Sequence, residues 1–223
     1  MSARIIDGKQ LSKVKTSELA SEVRTLRTQG RRSPSLAVVL VGSDPASELY
    51  VEKKKKACES VGIDSQIFHL SDETEQTEVL SLVRRLSNDE AVDGILVQLP
   101  LPAHIDNRTI IEAIDPQKDV DGLTVASRGA LVDHRSSLVP CTPLGIMHLL
   151  SSVEYNLEGC LALVVGRSAL VGAPIAELLS QANATVIKAH SKTQNIKQLS
   201  SMCDLIIACA GVPKLVDEKF KRV

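Results

Sequence analysis

The feature that most constrains the fold is a repeated alternation between short aliphatic runs and longer amphipathic stretches. Runs rich in Val, Ile and Leu occur at 35–42, 64–70, 93–102, 160–166, 184–190 and 204–213. Between them lie stretches with the length and spacing of helices, most clearly at 73–86 and 173–183. Continuous aliphatic strands separated by helices are typical of a parallel sheet covered on both faces. The sequence therefore predicts the α/β class.

The alternation stops and restarts around "PCTPLGIMHLL" at 140–150. The three aliphatic runs that follow form a second βαβαβ unit, as in Rossmann-like nucleotide-binding domains. Pro143 suits the first turn of a helix that links the two units. We therefore predict two domains, at 1–143 and 144–223, with the boundary near Thr142 to Gly145.

Composition excludes several classes of function. A formal net charge of −1 gives no global field that would favour nucleic acid or an acidic membrane. Only two Tyr, two Phe and no Trp are present, which argues against stacking on single-stranded nucleic acid. No stretch approaches the ~18 to 20 apolar residues that cross a bilayer, and the N-terminus has no apolar signal-like region. We expect a soluble protein of the cytosol or a similar compartment.

The five cysteines are widely spaced and form no CxxC pair. None has a histidine at metal-ligand spacing, so the sequence predicts reduced structural thiols and no metal site.

The segment "YVEKKKKACESVGI" at 50–63 carries four consecutive lysines in a pattern typical of a half-buried helix. With ~100° per residue and Tyr50 at zero, the apolar side chains lie on an arc centred near ~40°. Lys54 lies in the middle of that arc, whereas the other three lysines flank or oppose it. Its ammonium could reach water along its own stem. Alternatively, it is a partly desolvated amine suited to proton transfer.

Polar residues that follow the predicted strands are further candidates, because ligands of such sheets bind beyond the carboxyl ends of the strands. Ser43 or Asp44 can cap the lysine helix. Gln98 is the polar residue of "GILVQLPLP", and "PQKDVDGLT" adds Asp119 and Asp121. Each alone could be structural. Together they supply the convergent polar groups of an otherwise apolar pocket.

In the second half, "VVGRSALVGAP" follows a predicted strand and opens a helix, as a phosphate-binding turn does. Gly166 would permit the tight turn and Gly172 a close backbone approach. The spacing differs from GxGxxG, so a purely structural turn remains an alternative.

The end of the next strand bears on cofactor choice. NAD sites usually place an acidic residue there, but "VIKAHSKT" has none and offers Ser191 and Lys192. With Arg167 in the preceding loop, this favours the extra phosphate of NADP over NAD. Both cations could instead be solvated surface charges.

Five ordered motifs, "YVEKKKK", "GILVQLPLP", "KDVDG", "PCTPLG" and "GRSALVGAP", resemble those of the methylenetetrahydrofolate dehydrogenase/methenyltetrahydrofolate cyclohydrolases. The resemblance spans nearly the whole chain. It implies that Tyr50 packs against the folate, Lys54 is the catalytic lysine, Gln98 bonds that lysine, and Asp121 binds the amino edge of the pterin. A shikimate-type dehydrogenase of the same architecture would leave "VQLPLP" and "KDVDG" unexplained.

The same resemblance implies a folate-binding catalytic domain followed by a Rossmann-like domain, two activities in one-carbon metabolism, NADP as cofactor and a cytoplasmic homodimer. It implies that folate is contacted by Tyr50, Val97, Gln98, Leu99, Pro100 and Asp121. It implies that the cofactor is contacted by Gly166, Arg167, Ser168, Val171, Gly172, Pro174, His190, Ser191, Thr193 and Gly211.

The chain departs from this family after "GVPKLVDEKFKRV", where relatives continue into further strands, a glycine-rich loop and a final helix. We therefore expect a truncated second domain whose last strand presents an apolar edge. An alternative function follows, a folate-binding fragment that is catalytically impaired or retains only the cyclohydrolase activity.

Overall fold

The computed structural model describes residues 5–135, 138–217 and 220. The chain divides into two compact units, residues 1–126 and 127–223. This division falls near the start of the helix Val125–Val132, which precedes the family-like "PCTPLG" segment at 140–145. The sequence-derived boundary near Thr142 to Gly145 stays a prediction.

After its first helix, the first unit alternates strands and helices in the order that the sequence predicts. Its elements are α1 (Gly8–Thr28), β1 (Ser35–Val41), α2 (Pro45–Val61), β2 (Asp64–Leu70), α3 (Gln76–Asn88), β3 (Gly94–Val97) and α4 (Asn107–Ile111), and α5 (Val125–Val132) begins at its end.

The sheet of the first unit is parallel, with the strand order β2-β1-β3. The central strand β1 is aliphatic along nearly its whole length, and Val38 and Val39 are fully buried on opposite faces. The larger cluster contains Val39 with α3 and α4, whereas the smaller one contains Val38 with Val51 of α2. Two-sided burial explains why β1 has no polar alternation.

The second unit repeats the arrangement. Its elements are α6 (Cys141–Ser151), β4 (Leu161–Val165), α7 (Gly172–Gln181), β5 (Thr185–Ala189), α8 (Ile196–Met202) and β6 (Leu205–Ala208). The strands are parallel in the order β5-β4-β6, and β4 is the buried centre. Pro143 lies in the first turn of α6, as its position in the sequence suggests.

The structure corrects two details of the sequence analysis. The aliphatic run 93–102 is not a strand throughout, because β3 ends at Val97 and Gln98 is the first residue beyond it. Pro100 and Pro102 have no N–H to donate to a neighbouring strand, which explains the early end. The long helix α1 was not predicted, since Val23 is its only buried residue among those described.

Among the described residues, no helix is both long enough and apolar enough to cross a membrane.

Candidate active site and nucleotide-binding loop

The helix that carries the lysines is fixed at both ends by local chemistry. The Asp44 carboxylate accepts a hydrogen bond from Ser47 N at 2.8 Å, and Pro45 occupies the first helical position. Hydrogen bonding by the Ser47 side chain, and then by its backbone N–H, lowers the pKa of Asp44. At the other end, Gly62 adopts a left-handed conformation with φ 85°. Tyr50 and Lys54 thus lie on a helix whose start and end are both defined.

Lys54 is joined to the end of β3. Its Nζ donates to Gln98 Oε1 at 3.1 Å, and the lysine is partly buried. Lys53 and Lys56 are exposed, and Lys56 lies 3.3 Å from Glu52. Lys55 is also partly buried, so the hydrogen bond to Gln98, and not burial, distinguishes Lys54 from its neighbours.

The buried arc of α2 is nevertheless rotated from the predicted one. Tyr50 is 60% exposed and Ala57 is exposed, although both were placed on the apolar arc. Ser47, Val51 and Val61 are the buried residues of the helix. The sheet contacts the Val51 side of the helix, so Tyr50 projects outward, where its ring is available to a ligand.

Gln98 is oriented by backbone contacts on both sides. Its N–H donates to Val39 O at 2.9 Å, and its side-chain Nε2 donates to Leu99 O at 2.8 Å. The second bond identifies Oε1 as the atom left for Lys54. Of the other predicted folate contacts here, Val97 is buried, Leu99 is partly buried and Pro100 is exposed after a cis peptide bond.

The "KDVDG" loop runs beside β3. Asp119 forms an isolated parallel bridge with Ile95, and Ile95 N donates to Lys118 O at 2.7 Å. Asp119 is 1% exposed and accepts a hydrogen bond from Thr124 N at 2.8 Å. Asp121, which the resemblance favours as the ligand contact, is partly buried in the turn that follows. The sequence treated both aspartates alike at first, and burial separates them.

In the second unit, the loop after β4 packs against itself at two glycines. Gly166 has φ 136°, and a Cβ on it would lie 2.8 Å from Cys209 O. A Cβ on Gly172 would lie 2.7 Å from Arg167 N. No side chain fits at either position, so the tight turn requires glycine at both.

Ser168 closes this loop onto α7. Its Oγ accepts from Val171 N at 3.2 Å and from Gly172 N at 3.4 Å, and its carbonyl accepts from Ala173 N at 2.9 Å. Arg167 and Ser168 are exposed beside the N-terminus of the helix, where an anion is favoured. The residues present fit the phosphates of a dinucleotide.

The remaining predicted cofactor residues follow the neighbouring strands. After β5, His190 N donates to Thr193 Oγ1 at 2.8 Å, and Ser191 and Lys192 are exposed. Gly211 follows β6 and is exposed with φ 66°. Pro174 is buried in α7, so its contribution is to packing of the helix. Parallel strands bring these turns to one edge of the sheet.

Cys209 was not among the predicted site residues. Its Sγ donates to Val165 O at 3.4 Å, and burial raises the pKa of its thiol. No sequence pattern marks this position, because its contact with Gly166 depends on the pairing of β4 and β6. Within the described part of the chain, no three His, Cys, Asp or Glu side chains lie together as a metal site.

Comparison with known families gives two matches. The catalytic domain of tetrahydrofolate dehydrogenase/cyclohydrolase matches residues 6–121. The NAD(P)-binding domain of the same family matches residues 140–222.

Curated relatives agree with these matches. The bifunctional protein FolD of Staphylococcus epidermidis is 46% identical over 219 residues, which is 98% of this chain and 76% of that protein. The bifunctional protein FolD of Campylobacter curvus is 49% identical over 213 residues, covering 96% of this chain and 74% of that protein.

Solved structures of similar proteins agree with these matches. The bifunctional FolD dehydrogenase/cyclohydrolase of Campylobacter jejuni superposes with a TM-score of 0.96 at 42% identity, covering 99% of this chain and 78% of that one. The Trypanosoma brucei FolD, solved with NADP cofactor and an inhibitor, gives a TM-score of 0.94 at 34% identity, covering 100% of this chain and 77% of that one. The chain therefore belongs to the tetrahydrofolate dehydrogenase/cyclohydrolase family, and sequence of both its catalytic and its NAD(P)-binding domain is present.

Proposed function

We propose that this chain oxidises 5,10-methylenetetrahydrofolate to 5,10-methenyltetrahydrofolate with NADP⁺ and hydrolyses the product to 10-formyltetrahydrofolate. The observation that carries the proposal is the hydrogen bond between Lys54 Nζ and Gln98 Oε1. It places an amine at the carboxyl end of β3, within the residues that match the family's catalytic domain. A nucleotide-binding loop in the other unit supplies the second requirement of the reaction.

Hydrolysis needs a group that handles protons at the carbon under attack. Of the two protons of the water that adds to the methenyl carbon, one goes to solvent as the formyl carbonyl forms. The other is removed on addition and delivered to the departing nitrogen as the ring opens. Lys54 can take and return this proton, because one N–H directed at Gln98 fixes the amine and leaves its other positions for the reacting atoms. Gln98 is in turn fixed by Val39 and Leu99.

The dehydrogenase step makes a different demand on the protein. When bound, the nicotinamide cofactor supplies the hydride acceptor. The residues of this chain bind and orient the folate, with Tyr50 offering a ring face and Asp121 a carboxylate. Hydride transfer moves no proton to the protein, so Lys54 matters chiefly for hydrolysis.

Removal of the lysine amine tests this division of roles. Absorbance of reduced cofactor and of methenyltetrahydrofolate follows both reactions in the purified chain. Lys54→Met should abolish hydrolysis and retain part of the oxidation, whereas Lys53→Met, an exposed lysine of the same helix, should behave as wild type. An unchanged hydrolysis rate in Lys54→Met would remove the proposed role. A folded wild type that binds tetrahydrofolate but catalyses neither reaction would contradict the proposed activity.

NADP is the preferred cofactor in this proposal. Arg167 and Lys192 are exposed at the ends of β4 and β5, and Ser191 stands where an NAD site usually has an acid. Arg167→Gln with Lys192→Gln should raise KM for NADP⁺ by about tenfold and leave that for NAD⁺ little changed. Lys188→Gln, on the exposed side of β5, is the matched control. Equal effects on both cofactors would contradict the preference.

A cytoplasmic homodimer is also part of the proposal, following the resemblance to the family. Light scattering of the purified chain tests the dimer directly, and a monomer at micromolar concentration would contradict it.

A further inference from the structure

We propose that Asp119 is a positioning residue, which holds the turn that carries Asp121 in the geometry needed to bind the folate. The inference rests on the proposed function, since it assigns the second aspartate of "KDVDG" a role in the same site. Asp119 is 1% exposed, and within the described part of the chain it is the only charged residue among the buried ones. A carboxylate is costly to bury unless its oxygens are hydrogen-bonded, so this placement calls for an explanation.

Asp119 closes the turn from both ends. Its side-chain Oδ2 accepts from Thr124 N at 2.8 Å, and its backbone carbonyl accepts from Gly122 N at 3.0 Å. Thr124 is itself 2% exposed, so the side-chain bond lies in the protein interior. Asp121 lies inside both of the loops that these bonds close, from Asp119 to Gly122 and from Asp119 to Thr124. The backbone direction of Asp121 therefore depends on this ring of contacts, in which Asp119 accepts both hydrogen bonds.

The base of this ring is attached to the sheet. Asp119 pairs with Ile95, and Lys118 O accepts from Ile95 N. The Lys118 ammonium donates to Asp89 O at 2.7 Å and to Leu86 O at 3.3 Å, at the C-terminal end of α3. From Ile95, β3 runs to its end at Val97, and Gln98 follows directly. The turn and the Lys54–Gln98 pair thus share one strand as their support.

This arrangement accounts for an aspartate at a buried position. A carboxylate accepts stronger hydrogen bonds than a neutral group, so it holds backbone N–H groups more firmly. Recognition of a flat, hydrogen-bonding ligand edge by Asp121 needs a carboxylate of fixed orientation, and a misplacement of about 1 Å can reduce a rate by ~100-fold. Asp119 supplies that rigidity without touching the ligand.

A double-mutant cycle in the full chain tests the proposal. Asp119→Ala should lower kcat/KM for methylenetetrahydrofolate by about 10- to 100-fold, mainly through KM for the folate, and leave KM for NADP⁺ unchanged. Asp119→Asn keeps an oxygen acceptor for Thr124 N and should recover most of the loss. In an Asp121→Ala background, Asp119→Ala should change kcat/KM by less than about threefold.

The matched control is Asp106→Ala. Asp106 caps α4 in the same unit, accepting from Arg108 N at 3.1 Å and Thr109 N at 3.2 Å, and it has no place in the proposed site. It should lower the melting temperature without changing KM for the folate. Binding of tetrahydrofolate by calorimetry gives a second readout if Asp119→Ala is too unstable to assay at 25 °C.

Two results would overturn the positioning role. One is that Asp119→Ala lowers kcat/KM by the same factor in the Asp121→Ala background as in the wild type. The other is that Asp119→Ala raises KM for the folate and KM for NADP⁺ equally. Either would indicate a general loss of structure. A wild-type chain that neither binds nor converts the folate would instead contradict the proposed function, and that result is visible before any variant is made.

Discussion

The four consecutive lysines of α2 have the same side chain and four different surroundings. Lys53 is exposed, Lys55 is partly buried, and Lys56 lies beside Glu52 on the outer face. Lys54 alone among them has a hydrogen bond to the end of a strand, at Gln98. Helical geometry sets these differences, since adjacent residues point ~100° apart. The chemistry of the segment therefore depends on register and not on its charge.

Tyr155 is a second residue whose surroundings decide its chemistry. Its hydroxyl donates to Asp204 O at 3.2 Å and lies 3.7 Å from Cys160 Sγ. Burial, then the Cys160 thiol and the charge of Asp204, raises the pKa of Tyr155 to about 12.

We expect this shift to appear in alkaline titration. In a Tyr50→Phe variant, absorbance at 295 nm should show the remaining tyrosine ionising near 12 in the folded chain and near ~10 in urea. The unfolded chain loses this proton first, so stability should fall as the pH rises from about 10 to about 12. Coincident folded and unfolded titration curves would contradict the assigned contacts.

At the level of secondary-structure elements, β3 and the loop beside it pack closely at Gly94. A Cβ on Gly94 would lie 2.5 Å from Val120 Cγ1 and 3.3 Å from Leu36 Cδ1. Val120 belongs to "KDVDG", so the approach of this loop to the sheet requires the absence of a side chain at position 94.

Gly94→Ala should therefore destabilise the chain by about 1–3 kcal/mol through overpacking. Removing the opposing methyl groups in Gly94→Ala with Val120→Ala should restore part of that loss. Urea unfolding of the two variants and of Val120→Ala alone measures the coupling. Strictly additive effects would show that the glycine and the valine do not compete for the same space.

The aspartates that cap α2 and α4 make the stability of the chain depend on pH in acid. Hydrogen bonds to Ser47 and Thr109 lower the pKa values of Asp44 and Asp106, respectively. A lowered folded-state pKa contributes stability above the unfolded value of ~3.9, and this is lost as the pH falls through the folded value. The melting temperature should thus fall below about pH 4 less steeply in Asp44→Asn with Asp106→Asn than in wild type. Parallel curves of melting temperature against pH for the variant and the wild type would contradict this contribution of the caps.

The sequence allowed prediction of these elements to different extents. β1 and β4 were predictable because their aliphatic runs are buried on both faces, and Lys54 because one turn of helix fixes its direction. The end of β3 was marked by Pro100 and was nevertheless placed too late. α1 gave little signal since it buries one residue, and the burial of Asp119 depends on Thr124 and Ile95, which periodicity does not connect.

At the scale of the whole molecule, the two units use the same construction for different tasks. Each has a three-stranded parallel sheet whose first strand in sequence is its centre, with β1 in one and β4 in the other. Separate hydrophobic clusters cover the two faces of each sheet. Each unit places its polar residues after the carboxyl ends of its strands, where this architecture binds ligands. Differences in those short segments, not in the sheets, therefore decide what each unit binds.

Hydrogen exchange in the full chain assigns each ligand to its unit. A ligand that binds only the folded state at 100 times its Kd stabilises that state by about 2.7 kcal/mol, which slows the openings that expose its site. Tetrahydrofolate should protect peptides of α2 and residues 94–99, whereas NADP⁺ should protect residues 166–173. Gly172→Ala, whose Cβ would lie 2.7 Å from Arg167 N, should abolish the second effect and leave the first. Protection of 94–99 by NADP⁺ with none at 166–173 would contradict the assignment, because the glycine-lined loop would then not be the nucleotide site.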